Sequence, residues 1–228
     1  MGNDDRDVIE EQITYYRRRA PDYDEIFTPP HDRLVAEGRR LEAALEAFDV
    51  SGMVLEIASG TGAWTQHLLG RAQNITAVDA SPEMIEICRS KLGDVEGIDY
   101  VVADVFTWQP QDRYDVVFFA NWLSHVPPTR FDDFWKLVDR ALAPEGRVFF
   151  VDEGRDAWRK DAGFREEYVD HPSVPIVRRQ LNDGSHHRVV KVFWDPGKLE
   201  DELRSRGWDI EVRSTGAFLW GQGGRAYG

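Results

Sequence analysis

The sequence predicts one α/β domain built on a seven-stranded, mostly parallel sheet with helices on both faces. Three observations carry this expectation. From Val50 onward, short apolar runs alternate with helix-compatible segments, the pattern of parallel strands joined by crossover helices. The stretch Val54-Leu55-Glu56-Ile57-Ala58-Ser59-Gly60-Thr61-Gly62-Ala63-Trp64 reads as a strand that feeds a glycine-rich turn and then a helix. The composition, 42% hydrophobic and 12% aromatic over 228 residues, suffices for the core of a single domain spanning 1–228, and nothing in the middle reads as a flexible linker.

Strands are expected at 53–58, 74–79, 98–103, 114–120 and 146–152, with helices at 62–70, 82–92 and 130–142 between them. The helix at 82–92 is well punctuated: Ser81 caps it, Pro82 takes its first position, Glu83 favours its dipole and Gly93 stops it. The helix at 130–142 has Thr129 as its expected cap, an apolar face of Phe131, Phe134, Leu137, Val138 and Leu142, and Pro144 beyond its end. A last helix at 196–206 precedes Trp208 to Val212 and Ala217 to Trp220, two short strands that bring the sheet to seven. Two segments stand outside this alternation. Residues 8–27, within an N-terminal segment 1–30, carry Ile9, Ile13, Tyr16 and Ala20 at helical spacing. The second is an insertion at 154–194, where Val174 to Leu181 and His186 to Trp194 flank Asn182-Asp183-Gly184-Ser185, a hairpin signal. It follows the fifth strand, and therefore sits at the carboxyl end of the sheet, where ligands bind.

A formal net charge of −13 argues against nucleic acid or an anionic membrane as partner. No apolar run reaches the roughly 18 residues of a membrane span, and Met1-Gly2-Asn3-Asp4-Asp5 does not read as a signal peptide, so a cytoplasmic protein is expected. Cys88 is the only cysteine, which excludes an intramolecular disulfide and a cysteine-based metal site. No metal-ligand spacing is present, and no metal is expected.

The turn Glu56-x-Ala58-x-Gly60-x-Gly62 offers backbone N–H groups and the positive end of a helix dipole to a ligand. A dinucleotide site wants a third glycine where Thr65 stands, which disfavours a nicotinamide oxidoreductase. The remaining strand ends carry Asp79, Asp104 in Val101-Val102-Ala103-Asp104-Val105-Phe106, and the run Phe118-Phe119-Ala120-Asn121-Trp122-Leu123-Ser124-His125. In this order the motifs resemble those of class I S-adenosylmethionine (SAM)-dependent methyltransferases over residues 12–152 and, more weakly, over the rest. The resemblance implies a Rossmann-like fold and SAM as cofactor, leaving as S-adenosylhomocysteine (SAH). It places Glu56 near the methionine amino group and passes Ala58, Gly60, Gly62 and Trp64 under the cofactor. Asp79 and Ala80 take the ribose hydroxyls, and Met84 lies on the adenine face or in the core. Asp104 accepts from the adenine amino group beside the Val105 N–H, and Asn121 and Trp122 border the methionine moiety. A carboxylate at Glu56 suits a ligand with cationic amino and sulfonium groups. Ala58 replaces the commoner glycine and is expected to keep φ below zero.

Further phrases, Tyr15-Tyr16-Arg17-Arg18-Arg19-Ala20, Tyr23-Asp24, Trp122-Leu123-Ser124-His125-Val126-Pro127 and Val177-Arg178-Arg179-Gln180-Leu181-Asn182-Asp183-Gly184, resemble a narrower group around the bacterial phosphonate O-methyltransferase of dehydrophos biosynthesis. One departure is Pro29-Pro30-His31, where an aromatic residue is expected. The narrower resemblance implies a small anionic acceptor. Toward a neutral acceptor His125 is the candidate general base; toward an anionic one it orients the oxyanion. The hairpin offers Arg178, Arg179, Arg188 and Lys191 as anion ligands. A two-residue Asp183-Gly184 turn sets Arg179 opposite Arg188, with Arg178 and Lys191 diagonal on the other face, and a one-residue change of register regroups them. The N-terminal helix, with Tyr15, Tyr16 and Tyr23, is expected to act as a lid, Tyr16 over the cofactor and the other two toward the substrate. Arg17, Arg18 and Arg19 read as a solvated face. The expected function is O-methylation of a small anionic metabolite such as a phosphonate or carboxylate, by a monomer or homodimer. N-methylation of an amine, phenol O-methylation with His125 as base, and a non-catalytic cofactor-binding protein are the alternatives.

Overall fold

The computed structural model describes residues 3–27, 32–93, 95–154, 166–169 and 175–226. Pro29, Pro30, His31 and residues 155–165 and 170–174 of the insertion lie outside the described residues. The chain order is α1 (Asn3–Arg19), a 3-10 turn (Ala20–Phe27), α2 (Asp32–Ala47), β1 (Met53–Ile57), α3 (Thr65–Leu68), β2 (Asn74–Asp79), α4 (Pro82–Leu92), β3 (Ile98–Val102) and β4 (Tyr114–Ala120). It continues with α5 (Phe131–Ala141), β5 (Leu142–Glu153), β6 (Glu166–Val169), β7 (Ile176–Gln180), β8 (His186–Val190), α6 (Pro196–Arg204), β9 (Trp208–Ser214) and β10 (Phe218–Arg225).

The main sheet has seven strands in the order β3-β2-β1-β4-β5-β10-β9. The first five are parallel, and β10 enters antiparallel between β5 and β9. The central strands are buried on both faces, so they read as continuous apolar runs. One core lies between the sheet and α5 with α6, where Phe119 stacks on Phe150 at a centroid distance of 5.2 Å. The other lies between the sheet and α2. Sheet order reverses direction between β1 and β4, which opens a crevice at their carboxyl ends. Among the described residues no helix is long and apolar enough to cross a membrane.

Several local expectations hold because their signals are local. Ser81 Oγ accepts from Met84 N at 3.1 Å, and Gly93 closes α4 with φ +80°. Others need correction. The helix expected at 62–70 is a four-residue α3, because Gly60 and Gly62 hold φ of +56° and +83° and Leu69 leaves helical geometry at ψ 140°. Thr129 does not cap α5; a 3-10 turn at Pro128–Arg130 runs into that helix, which passes at Leu142 directly into β5. The sequence reading also missed α2. Its Leu41 and Leu45, with Phe48 just beyond, are buried, and Arg71 ends it by donating to the carbonyls of Leu45 (3.0 Å) and Phe48 (2.6 Å).

The hairpin register differs by one residue from the expected one. Arg178 pairs with Arg188 and Arg179 with His187. Leu181 N donates to Ser185 O and Gly184 N to Leu181 O, so the loop holds three residues, Asn182 to Gly184, with Gly184 at φ +86°. β6 adds a third strand on the far side of β7. The N-terminal helix ends sooner than expected, at Arg19, and continues as the 3-10 turn. It docks on the hairpin through Val8 and Tyr15, which pack on the buried Ile176 and Val177 of β7 and Val189 and Val190 of β8.

Gly62 shows why the turn needs glycine. A Cβ there would lie 2.6 Å from Cys88 Sγ on α4, at a φ that L-residues avoid. Gly62→Ala is expected to destabilise the fold by roughly 2–4 kcal/mol, from backbone strain plus overpacking. Urea denaturation reads the loss, and Cys88→Ala in the same chain should recover the contact part of it.

Candidate functional site

A cleft holding about 740 Å³, counting its open mouth, lies at the carboxyl ends of β1 to β4 under a roof made by α1 and the 3-10 turn. The roof is tied down at both ends. Arg17 meets Glu83 of α4 with contacts of 2.9 and 3.0 Å, and Asp24 holds Thr61 Oγ1 at 2.7 Å and also Lys91. Arg18 pairs with Asp183 of the hairpin loop. Arg17 and Arg18 are therefore paired across the roof rather than simply solvated. These ion pairs are exposed and screened by solvent, so they position the roof more than they stabilise it.

The floor is the turn after β1. Ala58 sits at φ +55°, which overturns the expectation of a negative φ. An L-residue in that region carries a strain of about 1–2 kcal/mol, and it leaves the backbone of Ala58 and Gly60 open to the cleft. Asp79 ends β2 and holds the turn, accepting from Gly60 N at 2.9 Å and Ser81 N at 2.8 Å. Burial pushes its carboxyl up to about 6 despite those N–H groups. Ala80, Met84, Asp104, Val105, Asn121, Trp122 and His125 all line the cleft, as do Tyr16 and Tyr23 from above. Asp104 Oδ1 accepts from Phe106 N at 3.0 Å, which closes the turn after β3. Asn121 adopts φ +52°, a conformation asparagine tolerates, and its Oδ1 is buried with no partner among the described residues.

Glu56 is buried beneath this floor on β1. Its Oε2 has no hydrogen-bond partner among the described residues, and burial pushes the carboxyl up to about 8, the Thr65 hydroxyl opposing and Asp79 adding to the shift. A lone buried carboxyl oxygen under a strained turn is suited to a cationic ligand group. Gly62 and Trp64 do not line the cleft. Gly62 faces α4, and Trp64 packs on Phe118 and His67 with centroids 5.9 and 5.6 Å away.

At the other end of the cleft the side chains form a chain of hydrogen bonds. Arg179 Nη1 donates to Tyr16 Oη at 3.1 Å, and Tyr16 Oη lies 2.8 Å from His125 Nε2. His125 Nδ1 lies 2.7 Å from the carbonyl of Val190. A carbonyl only accepts, so Nδ1 carries the proton, Nε2 is bare and the Tyr16 hydroxyl donates to it. Burial, reinforced by Lys191 and Arg179, holds the His125 imidazolium well below its ordinary range, so the ring is neutral. Burial likewise raises the phenol of Tyr16 well above its ordinary value and that of Tyr23 to about 12.

The other expected substrate residues lie elsewhere. Arg178 is exposed on the hairpin. Arg188 gives its Nε to Glu11 Oε2 on α1 at 2.7 Å, because the one-residue shift of register turns it toward the helix. Tyr15 is buried between α1 and the hairpin with Val177, Leu181 and Val189. Lys191 is buried behind His125, its Nζ bonded to Glu153 Oε2 (2.6 Å) and Ser124 Oγ (3.2 Å). The sequence reading missed Gln12, Ser81 and Phe106 on the cleft wall.

The methyltransferase domain family model matches residues 54–146. The chain is 38% identical over 212 residues to an uncharacterized methyltransferase of Exiguobacterium sibiricum, covering 88% of this chain and 84% of the relative. It is 28% identical over 148 residues to malonyl-[acyl-carrier protein] O-methyltransferase 2 of Ilyobacter polytropus, covering 63% of this chain and 54% of the relative, so it spans about half of that protein's length. A solved structure of a DhpI–SAH complex superposes with a TM-score of 0.81 at 39% identity, over 96% of this chain and 97% of that one. A DhpI–SAM–HEP complex gives 0.80 at the same 39% identity, over 94% and 96%. With the strand order, the glycine turn and the acidic strand ends already described, these likenesses place the chain plainly: it belongs to the class I SAM-dependent methyltransferases.

Proposed function

We propose that this protein transfers the methyl group of SAM to an oxygen of a small anionic acceptor, a phosphonate or a carboxylate. The observation that carries the reading is the hydrogen-bond chain that runs from Arg179 through Tyr16 to His125, whose last two members line the roofed cleft. A guanidinium there suits bidentate contact with an oxyanion, while the neutral His125 orients Tyr16. That the relatives include an O-methyltransferase, and DhpI bound with both SAM and HEP, supports the same reading. The roofed cleft and the net charge of −13 favour a small molecule over nucleic acid.

When bound, SAM supplies a methyl carbon made electrophilic by the sulfonium. The protein's part is to bind, align and exclude water. Glu56 and Asn121 take the cationic amino end, Asp79 the ribose hydroxyls, and Met84, Asp104 and Val105 the adenine. Ala58, Gly60 and Ala80 let the backbone pass close, and Trp122 borders the methyl. Arg179 holds the acceptor oxygen in line with the methyl carbon, Tyr16 and His125 keep the guanidinium in place, and Tyr23 closes the cleft above them. Alignment of this kind lowers a barrier by several kcal/mol. A phosphonate or carboxylate is already anionic near pH 7 and gives up no proton. The Tyr16–His125 hydrogen bond favours one second reading, a phenolic acceptor deprotonated through Tyr16 with His125 as base.

Glu56 gives this reading a proton signature. The cofactor-free protein at pH 7 holds Glu56 protonated, because its carboxyl titrates at about 8. A cationic amino group favours the carboxylate, so SAH binding is expected to release a proton between pH 6 and 8, as an order-of-magnitude window, and to tighten as pH rises. The same raised value makes the cofactor-free fold lose stability as pH rises from 4.5 toward about 8. Calorimetry of SAH binding in buffers of different ionisation enthalpy reads the proton, and Glu56→Gln should abolish its release. Binding with no proton release in the native protein would place the amino group elsewhere.

The direct test is product mass after incubation with SAM and a panel of hydroxyalkylphosphonates, carboxylic acids, phenols and amines. Methyl esters of the anionic acceptors support the reading, and turnover of amines alone overturns it.

A further inference from the structure

We infer that Gln12 is a positioning residue that couples docking of the α1 roof to the tautomer and aim of His125. Its amide is buried and bonded at both ends: Nε2 donates to the backbone carbonyl of His125 at 3.2 Å, and Oε1 accepts from Val190 N at 3.0 Å. The carbonyl of that same Val190 accepts from His125 Nδ1 at 2.7 Å. Gln12, the His125 peptide and ring, and Val190 thus close one ring of hydrogen bonds. A primary amide presents, on two separate atoms, the donor and the acceptor that this pair of backbone groups requires. This inference rests on the proposed role of His125 in orienting Tyr16.

The ring has a structural origin. β8 pairs with β7 on one side only, so its outer edge leaves backbone groups to be satisfied. Three side chains cover that edge: Glu11 takes Arg188 N at 2.7 Å, Gln12 takes Val190 N, and His125 takes Val190 O. The roof and the imidazole are therefore read by adjacent groups of one strand. When α1 is seated, Gln12 fixes both the peptide that carries His125 and the peptide that fixes its Nδ1 proton. Nε2 is then bare and aimed at Tyr16, four residues along the same helix. The charged and titratable groups facing this ring are Tyr16 from α1, Arg179 from β7 and Lys191 just after β8, and none of them bonds the Gln12 amide. Glu11 does the same edge-covering work without touching His125, which makes it a control.

The test uses the full chain loaded with SAH. Nitrogen-15 spectra of the histidine ring are expected to show His125 as the Nδ1–H tautomer in the native protein and in Glu11→Ala, and as a tautomer mixture in Gln12→Leu. With SAM and 2-hydroxyethylphosphonate, Gln12→Leu should lower kcat on the order of 10–100-fold and change SAH affinity far less. In a His125→Ala background the same substitution should cost nothing further, since its effect runs through the ring it no longer positions. If Gln12→Leu does not fold, Gln12→Glu serves: it keeps the acceptor for Val190 N, loses the donation to His125 O, and should give an intermediate effect. An unchanged tautomer, or full additivity of Gln12→Leu with His125→Ala, overturns the inference and leaves the reading of His125 standing. A His125→Ala enzyme as fast as the native one overturns both.

Discussion

Asp79→Ala is expected to weaken SAH binding on the order of 10²–10³-fold, the largest cofactor effect of any single substitution in the cleft. Two losses combine. The carboxylate accepts from Gly60 N and Ser81 N, so it holds the glycine turn in shape before any ligand arrives. In the proposed complex it also accepts from the ribose hydroxyls, and hydrogen bonds to a charged group contribute about 1.5–3 kcal/mol each. Asp79→Asn keeps one acceptor and should lose less. Because the Asp79 carboxyl titrates at about 6, its share of affinity is present above that pH and fades as pH falls through it. Calorimetric titration with SAH measures both effects. A dissociation constant within about threefold of the native value, as an order-of-magnitude threshold, would remove Asp79 from the cofactor site.

Arg179→Ala should leave SAH affinity as it is and lower kcat/KM for an anionic acceptor on the order of 10²–10³-fold. The guanidinium is the half-buried cation that reaches the cleft through Tyr16, whereas Arg178 is exposed, Arg188 is bonded to Glu11 and Lys191 to Glu153. Its removal also takes away the donor to Tyr16 and one of the charges that keep His125 neutral. Arg179→Lys keeps the charge without the planar fork and should recover part of the rate. Steady-state kinetics against one phosphonate and one neutral phenol separate the roles. Equal losses on both acceptors would show that Arg179 supports Tyr16 rather than binding the anion.

What could be read from the sequence follows from how local each signal is. The α4 helix is spelled out by Ser81, Pro82 and Gly93, and the central strands by apolar runs that need no partner to be recognised. The acidic ends of β2 and β3 follow from strand order alone, and both line the cleft. The rest depends on distant partners. The hairpin register turned on whether Gly184 closes a two- or a three-residue loop, and that one step moved Arg188 from the substrate to Glu11. Ala58 could not be assigned its positive φ, because the strain is imposed by the turn between β1 and Asp79. Trp64 and Gly62 belong to the right motif, yet the shortness of α3 turns them toward the core. A signal for Gln12 was present: it falls on the face of Ile9, Ile13 and Tyr16, a lone amide in an apolar stripe. The α2 helix likewise shows Leu41, Leu45 and Phe48 at helical spacing.

The measurement that meets the central claim most directly is phosphorus-31 spectroscopy of 2-hydroxyethylphosphonate after incubation with the enzyme and SAM labelled with carbon-13 at the methyl group. An oxygen of the anion attacking the methyl carbon gives a phosphonate monomethyl ester, seen as a new phosphorus resonance split by the labelled carbon through the ester oxygen. Methylation of the carbinol oxygen, or no transfer to phosphonates and carboxylates while phenols or amines are methylated, would contradict the account and move the acceptor away from Arg179.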